Sequence, residues 1–555
     1  MGKRAMSLCA VLALVGFSDF STADAQVAGA QLAGVQLTGA QSASSGAQAC
    51  GELAQLSLDS AQVVSSSSVD AGALVFESKK PDPDPLFKKL PAFCRVVILA
   101  RPSSDSNIRI EVWLPLAGWN GKFLGQGNGG FAGAIDYRGL AIAVRSGFAS
   151  GATDTGHTGG ATDSGWALGH PEQVIDFGNR AVHRMTEVSK AVAEKFYASA
   201  PQHAYFSSCS DGGREALMEA QRFPGDYDGI LAGAPAFNWT RLLTRGAAMS
   251  QLLLGNAEKY LPAAKVPAIN QAVLAACHKN EPGPFLADPR SCRFSPETLV
   301  CKGAESDACL TPAEAASVKA IYTASTLPDG TLVYPGLLPG GELGENGWQG
   351  WITGASRESG AGSAYALGYF RNLVYSDPNW QLKGFELERD LKAAERKTGQ
   401  ALDAVNADLR PFKARGGKLI LYHGWNDPAI SPLGTIGYVQ SVQQIVGREQ
   451  TDAFLRLFLV PGMQHCAGGP GPSDFGQWGP SFDPSLDNAA NNITFALEDW
   501  VEKGRAPEQV IARGSMQEGG TRTAFAQPIC AYPKAAVYKG SGDRKDAASY
   551  VCAGK

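Results

Sequence analysis

A chain of 555 residues exceeds what one hydrophobic core usually supports, so two or more packed units are expected. A formal net charge of −4, with no long basic run, argues against a nucleic-acid partner. A 44% hydrophobic share is that of a globular protein, and 65 glycines imply many turns and close backbone approaches.

Lys3 and Arg4 precede the largely apolar run Ala5 to Phe17, and Ala23-Asp-Ala25 sets small residues at a cleavage position. Residues 1–25 therefore read as a signal peptide of a secreted or periplasmic protein. The apolar run is too short to span a membrane as a helix, and no later segment reads as a span. Residues 26–49 repeat a five-residue unit, as in Ala28-Gly-Ala-Gln-Leu32 and Ala33-Gly-Val-Gln-Leu37. So small a repeat buries little surface, and it reads as a flexible leader. Of 11 cysteines, Cys9 leaves with the signal. The remaining even set implies disulfides in an oxidising compartment, although spacing does not give the pairing. With no C-x-x-C pair, a zinc ribbon or thioredoxin-like site is not indicated.

The folded part is expected from Cys50. Val96 to Leu99 and Ile108 to Leu114 read as the first strands of a sheet. Trp119-Asn-Gly-Lys-Phe-Leu then leads into Gly125-Gln-Gly-Asn-Gly-Gly130, which is either a plain turn or a loop whose amides approach a ligand. Leu140 to Val144 reads as a further strand. Asp154 and His157 could suggest a metal pair, but no third ligand stands nearby, and a hydrogen-bonding loop is the better reading. Ala181, Met185, Val188, Val192 and Phe196 recur at helical spacing, with His183, Glu187, Lys190 and Glu194 on a solvated face.

His203-Ala-Tyr-Phe is strand-like, Ser207 to Glu215 is a turn, and Ala216 to Phe223 is helical and closed by Pro224. A serine at the apex of a strand–turn–helix is the setting of a nucleophile elbow. Such an elbow exposes the hydroxyl and aims the next amide, that of Asp211, at a forming oxyanion. Ser210 is the candidate nucleophile, with Gly212 small as the turn demands and Ser208 where G-x-S-x-G has glycine. A serine-rich turn without function is the alternative. Tyr227 to Pro235 returns as strand and turn, so strand and helix alternate from about Val96 to Pro235, as in a parallel α/β sheet.

From 237 to 405 the chain changes to turns, four cysteines and aromatic clusters around Trp348, Trp351, Tyr365 and Tyr369. This reads as an inserted lid between a first catalytic part (50–236) and a second (406–555), its aromatics serving either substrate or the insertion's own core. The sheet resumes at Lys418 to Gly424 and again at Phe454 to Val460. Ile493, Ala496, Leu497, Trp500 and Val501 form a helix closed by Gly504, and a tail with Cys530 and Cys552 follows.

A serine nucleophile needs a base and an acid that orients it, in the chain order Ser, Asp, His for an α/β-hydrolase. Asp427 follows an apolar strand, where the acid belongs. Of seven histidines only His278, His423 and His465 come after Ser210, and only His465 comes after Asp427.

The Cys209-Ser210, Asp427 and His465-Cys466 elements resemble those of the tannase and feruloyl esterase family. The likeness extends through Trp119-Asn-Gly-Lys, Tyr227-Asp-Gly-Ile-Leu-Ala-Gly-Ala-Pro235, Gly416 to Gly424, Val460-Pro-Gly-Met-Gln-His-Cys466 and Tyr538-Lys-Gly-Ser-Gly-Asp543. It implies an α/β-hydrolase core with a large inserted lid, and hydrolysis of a small aromatic ester of feruloyl or hydroxycinnamoyl type. It further implies a Ser210–His465–Asp427 triad with oxyanion amides from Gly130 and Asp211. The implied disulfides are Cys50–Cys94, Cys209–Cys466, Cys277–Cys292, Cys301–Cys309 and Cys530–Cys552. Ser208 departs from the family's glycine. The lid stretch His278 to Asp288 lacks the family's acidic calcium loop, because Glu281 and Asp288 supply too few oxygens, so no cofactor or metal is expected. Gallate esters, terephthalate monoesters, or a catalytically dead phenolic-binding scaffold are the alternatives.

Overall fold

The structure, a computed structural model, describes residues 39–76, 85–279, 281–344, 346–357, 359–480, 483–518 and 521–554. The expected signal peptide and the first part of the expected leader lie outside them. The rest of the leader lies within a helix, Gly39–Glu52, that begins ahead of Cys50.

Nine strands form one sheet: β1 (Ala61–Val69), β2 (Phe93–Ala100), β3 (Ile108–Pro115), β4 (Lys122–Gln126), β5 (Ala149–Thr153), β6 (His203–Cys209), β7 (Gly229–Gly233), β8 (Lys418–Gly424) and β9 (Leu455–Val460). Their spatial order is β1-β2-β3-β5-β4-β6-β7-β8-β9. β1, β2 and β3 run antiparallel, as does β3 to β5, while β5 through β9 are parallel. Alternate residues of the parallel strands enter opposite cores. Phe206, Ile230, Leu419 and Leu421 pack with Val188 and Val192 of the helix Ala181–Tyr197. Tyr205, Leu231, Ile420 and Tyr422 pack with Ile493, Leu497 and Trp500 of the helix Ile493–Lys503. With both faces covered, the central strands read as unbroken apolar runs.

Two local readings are corrected. Leu140 to Val144 lies within the helix Tyr137–Arg145, capped by Asp136, whose side chain accepts from Gly139 N. A five-residue apolar run does not distinguish a buried helix from a strand. The strand is instead Ala149-Ser-Gly-Ala-Thr153, whose small residues let the helix behind approach: a Cβ on Gly151 would lie 2.3 Å from Ser189 Oγ. His183 is only partly solvated. Its ring stacks on Phe223 at 3.8 Å and its Nδ1 lies 2.6 Å from Asp226.

The stretch 237–405 carries its own apolar clusters. One joins Trp239, Tyr369 and Phe370 to Phe131 and Phe177, fastening this stretch to loops of the sheet. Another gathers Ile269, Val273, Val318 and Trp348. After the last helix, a hairpin (Gln509–Glu518 with Thr521–Cys530) and a short strand pair complete the fold.

Candidate active site

β6 ends at Cys209 and the helix Asp211–Arg222 begins one residue later, so Ser210 carries the whole turn. Its φ of 68° and ψ of −120° lie where a side chain is strained, at a cost of about 1–3 kcal/mol. Surrounding contacts hold it there. Ser210 N donates to Gly233 O (3.0 Å), and Ser210 O accepts from Arg214 N (3.1 Å) and Ala236 N (3.0 Å). The turn leaves no room for larger neighbours: a Cβ on Gly213 would sit 2.3 Å from Gly233 O. Ser208, in the usual glycine position, fits because Gly127 and Gly212 face it without side chains; a Cβ on Gly212 would lie 1.8 Å from Ser208 Oγ.

His465 Nε2 lies 2.9 Å from Ser210 Oγ, and its Nδ1 lies 2.8 Å from Asp427 Oδ2. Asp427 Oδ1 accepts from Ala429 N (2.8 Å) and Ile430 N (2.9 Å) in the loop after β8. Oδ2 has a second partner that chain order did not reveal. His423 is wholly buried, with Nε2 3.1 Å from Oδ2 and 3.0 Å from Ile430 O, and Nδ1 2.8 Å from Thr435 Oγ1. Its four-residue offset from Asp427 was the available signal. Burial pushes the Asp427 carboxyl up, but the charge and hydrogen bonds of His465 and His423 outweigh it and hold it well below the usual carboxylate range.

Gly130 and Asp211 line the same cleft as Ser210 and His465. Asp211 N stands at the first turn of its helix, where amides lack helical acceptors. Gly130 has φ +62°, and a Cβ there would meet Ala161 O at 2.3 Å and Tyr365 Oη at 2.6 Å. Behind it, His157 Nε2 lies 2.8 Å from Phe131 O, and the His157 ring stacks on Trp166 at 3.8 Å. Asp154 accepts from Arg109 N and Gly156 N. This is a hydrogen-bonding loop that pins the Gly130 turn.

The cysteines on either side of the site are bonded: Cys209 to Cys466, with Cα atoms 5.9 Å apart. The other described cysteines pair as Cys50–Cys94, Cys277–Cys292, Cys301–Cys309 and Cys530–Cys552.

The empty space of the cleft, counted out into the solvent at its open mouth, is about 980 Å³. The helix Trp239–Leu254 contributes Leu242, Leu243, Met249 and Leu253 to its wall. Trp351 stands edge-on to the His465 ring at 4.9 Å and stacks with Tyr365 at 6.1 Å. The aromatics thus divide: Trp351 and Tyr365 face the cleft, while Trp348, Tyr369 and Phe370 are buried in cores.

Residues 94–553 match the family model described as "Tannase and feruloyl esterase". The chain belongs to that family. An uncharacterized esterase of Xanthomonas campestris pv. campestris is 40% identical over 542 residues, 92% of each chain. A probable feruloyl esterase B-2 of Aspergillus terreus is 32% identical over 465 residues, covering 83% of this chain and 86% of the relative. The crystal structure of feruloyl esterase B from Aspergillus oryzae superposes with a TM-score of 0.81 at 30% identity, covering 92% of this chain and all of that one. The tannin acyl hydrolase of Aspergillus niger shares the fold at 22% identity and a TM-score of 0.70. The protein is therefore an α/β-fold carboxylic ester hydrolase.

Two places among the described residues bear on a metal. His183, Glu219 and Asp226 bring ligand atoms within 4.8 Å of one another, but only three, and His183 already bonds Asp226. In the lid loop, Glu281 accepts from Lys279 N (2.9 Å) and Ala287 N (3.1 Å), and Asp288 pairs with Arg290 at 2.8 Å. Two carboxylates already engaged by local donors do not fit calcium, which takes six to eight oxygens.

Proposed function

We propose an exported serine esterase that hydrolyses esters of aromatic, feruloyl-type acids through an acyl-enzyme. The observation that carries this reading is the hydrogen-bonded chain from Ser210 Oγ through His465 to Asp427, opening into an aromatic-walled cleft.

In this mechanism His465 Nε2 takes the hydroxyl proton as Ser210 Oγ bonds to the ester carbonyl carbon. The carbonyl electron pair moves to oxygen, where the Gly130 and Asp211 amides receive the charge. Collapse breaks the bond to the alcohol oxygen, which leaves with the proton from His465, and the acyl group stays on Ser210. His465 then deprotonates a water that attacks the acyl carbon. The acid departs as Ser210 regains its proton. Asp427 keeps the imidazole in the tautomer with Nδ1–H. The aromatic wall and the names of the relatives support the acyl preference. The signal-like N-terminus and the bridges among the ten described cysteines support export.

The test is turnover of methyl ferulate, methyl gallate and a terephthalate monoester, with fluorophosphonate labelling of the wild type and Ser210→Ala. Labelling should be confined to Ser210, and Ser210→Ala should lose about a thousandfold or more in kcat while folding normally. Undiminished turnover in Ser210→Ala would end the mechanism.

A further inference from the structure

Asn128 stands between β4 and Gly130, two residues ahead of the glycine whose amide the proposed mechanism uses. Pairing of β4 with β6 stops at Gln126 opposite Ser207, so the sheet no longer holds the chain beyond it there. Asn128 then meets the helix Asp211–Arg222 twice through its backbone. Its carbonyl accepts from Gly212 N (2.8 Å), and its N–H donates to Glu215 Oε2 (2.8 Å). Its side chain holds the other flank, where Nδ2 donates to Ala134 O (3.0 Å) and Thr153 O (2.9 Å). Gly212 N belongs to the first turn of the helix, whose amides lack acceptors within the helix. The bond to Asn128 takes up that amide and leaves Asp211 N beside it.

Glu215 is 1% exposed and lies five residues after Ser210. It passes against Gly127, where a Cβ would lie 2.5 Å from Oε2. Oε1 is buried without a partner, and among the described residues Oε2 has one, the Asn128 amide. A carboxyl so placed costs stability, and the one contact that offsets the cost is to the loop. Burial first, then the Asp211 charge, push the group up to about 8. At neutral pH it is mostly the uncharged acid, which a glutamine copies in shape and in its accepting oxygen. The bonds of the elbow itself run elsewhere. Ser210 is tied to Gly233, Arg214 and Ala236, and its hydroxyl to His465.

We propose that Glu215 is a positioning residue: through the Asn128 amide it fixes the loop 127–130 against the nucleophile's helix, and so sets the separation of the Gly130 and Asp211 amides. This rests on those amides being the oxyanion donors of a Ser210 hydrolase. Such donors act only when held within about 0.5 Å of where the oxyanion forms.

The test compares Glu215→Met, Glu215→Asp and Glu215→Gln on whichever ester of the panel the wild type turns over fastest. Methionine keeps the length and removes the acceptor, while aspartate keeps the acid and withdraws it by one methylene. Each should lower kcat about 10- to 100-fold, somewhat less than deleting an oxyanion donor, with KM within about threefold. Glu215→Gln should restore kcat to within about threefold of the wild type. Two inhibitors separate positioning from general loosening. An arylboronic acid bonds to Ser210 as a tetrahedral adduct with an oxygen at the oxyanion position, whereas the free acid product binds without that bond. In Glu215→Met the boronate Ki should rise about as far as kcat falls, and the product Ki should stay.

Wild-type kcat in folded Glu215→Met, equal weakening of both inhibitors, or Glu215→Gln as impaired as Glu215→Met would overturn the proposal. Failure of both Glu215→Met and Glu215→Asp to fold would overturn it too, by making Glu215 part of the framework. The parent reading is checked apart from this series. If the wild type hydrolyses no ester, or Ser210→Ala still turns over, the esterase mechanism falls and takes the role of Glu215 with it. If both behave as expected, a failed Glu215 series counts against this inference alone.

Discussion

His423 Nε2 approaches the same Asp427 oxygen that receives His465 Nδ1, at 3.1 Å and 2.8 Å respectively. Asp427 is thereby fixed on every side, and the direction of its bond to His465 depends on a residue that does not touch Ser210. In the proposed triad His423 is a positioning residue. His423→Phe keeps the ring volume and removes the N–H. It should lower kcat about 10- to 100-fold, as lost support behind a functional ligand typically does, with KM changed less than about threefold. Equal rises in KM and falls in stability, with kcat intact, would reduce His423 to packing.

The Cys209–Cys466 bridge closes 257 positions of chain, a constraint worth up to about 5 kcal/mol in the simple polymer model. The bridges inside that loop lower the figure. Its larger effect should be on turnover, because the hydrogen bond between Ser210 and His465 tolerates little drift. Replacing both cysteines with alanine should lower the melting temperature, and should lower kcat even where the variant is fully folded. Wild-type kcat in the folded double variant would confine the bridge to stability.

Glu281 and Asp288 are each held by donors of their own loop. Exhaustive treatment with a calcium chelator should therefore leave melting temperature and turnover unchanged. A fall of many degrees that added calcium restores would show that backbone and water oxygens complete a site.

His157 gives a pH dependence of defined sign. Its Nε2 faces the Phe131 carbonyl, which only accepts, so the proton of the neutral ring sits on Nε2, and burial is what opposes a second one. Burial lowers the imidazole from 6.5 to about 4. Between those values the unfolded chain binds a proton that the folded chain refuses, so folded stability falls as pH falls through that window. His157→Gln keeps a donor for Phe131 and does not titrate. Subtracting the two stability curves removes Asp154 and the other groups. Between pH 7 and 4 the wild type should lose roughly 3 kcal/mol more than the variant. Parallel denaturation midpoints across that range would contradict the neutral buried ring.

Much of this arrangement was legible in the residues because chain order carries it. An apolar strand ending just before Asp427, another ending before His465, and a serine between strand and helix leave one ordered set, and the fold brings the three within hydrogen-bond reach. Periodicity also marked the helix Ala181–Tyr197. It failed at Leu140 to Val144, where both periods fit a short apolar run and the cap at Asp136 decided the outcome. His423 was hidden for another reason. It follows four apolar strand residues and lies next to Gly424, and only the return of the Asp427 loop beneath it gives its Nε2 a partner.

Four of the five bridges join cysteines that are neighbours in chain order, and Cys209–Cys466 does not. During synthesis Cys209 emerges before Cys277, Cys292, Cys301 and Cys309, all of which must pass it by before its partner exists. An oxidant that joins each thiol to the next available one would make the first bridge correctly and then link Cys209 to Cys277. That error would also leave every later lid cysteine one place out of step. The elbow must therefore shield Cys209 until the loop bearing His465 arrives, or the chain must mature where disulfides are reshuffled as well as formed. Assembly of this site is in that sense a problem of timing, solved only when nearly the whole polypeptide has been made.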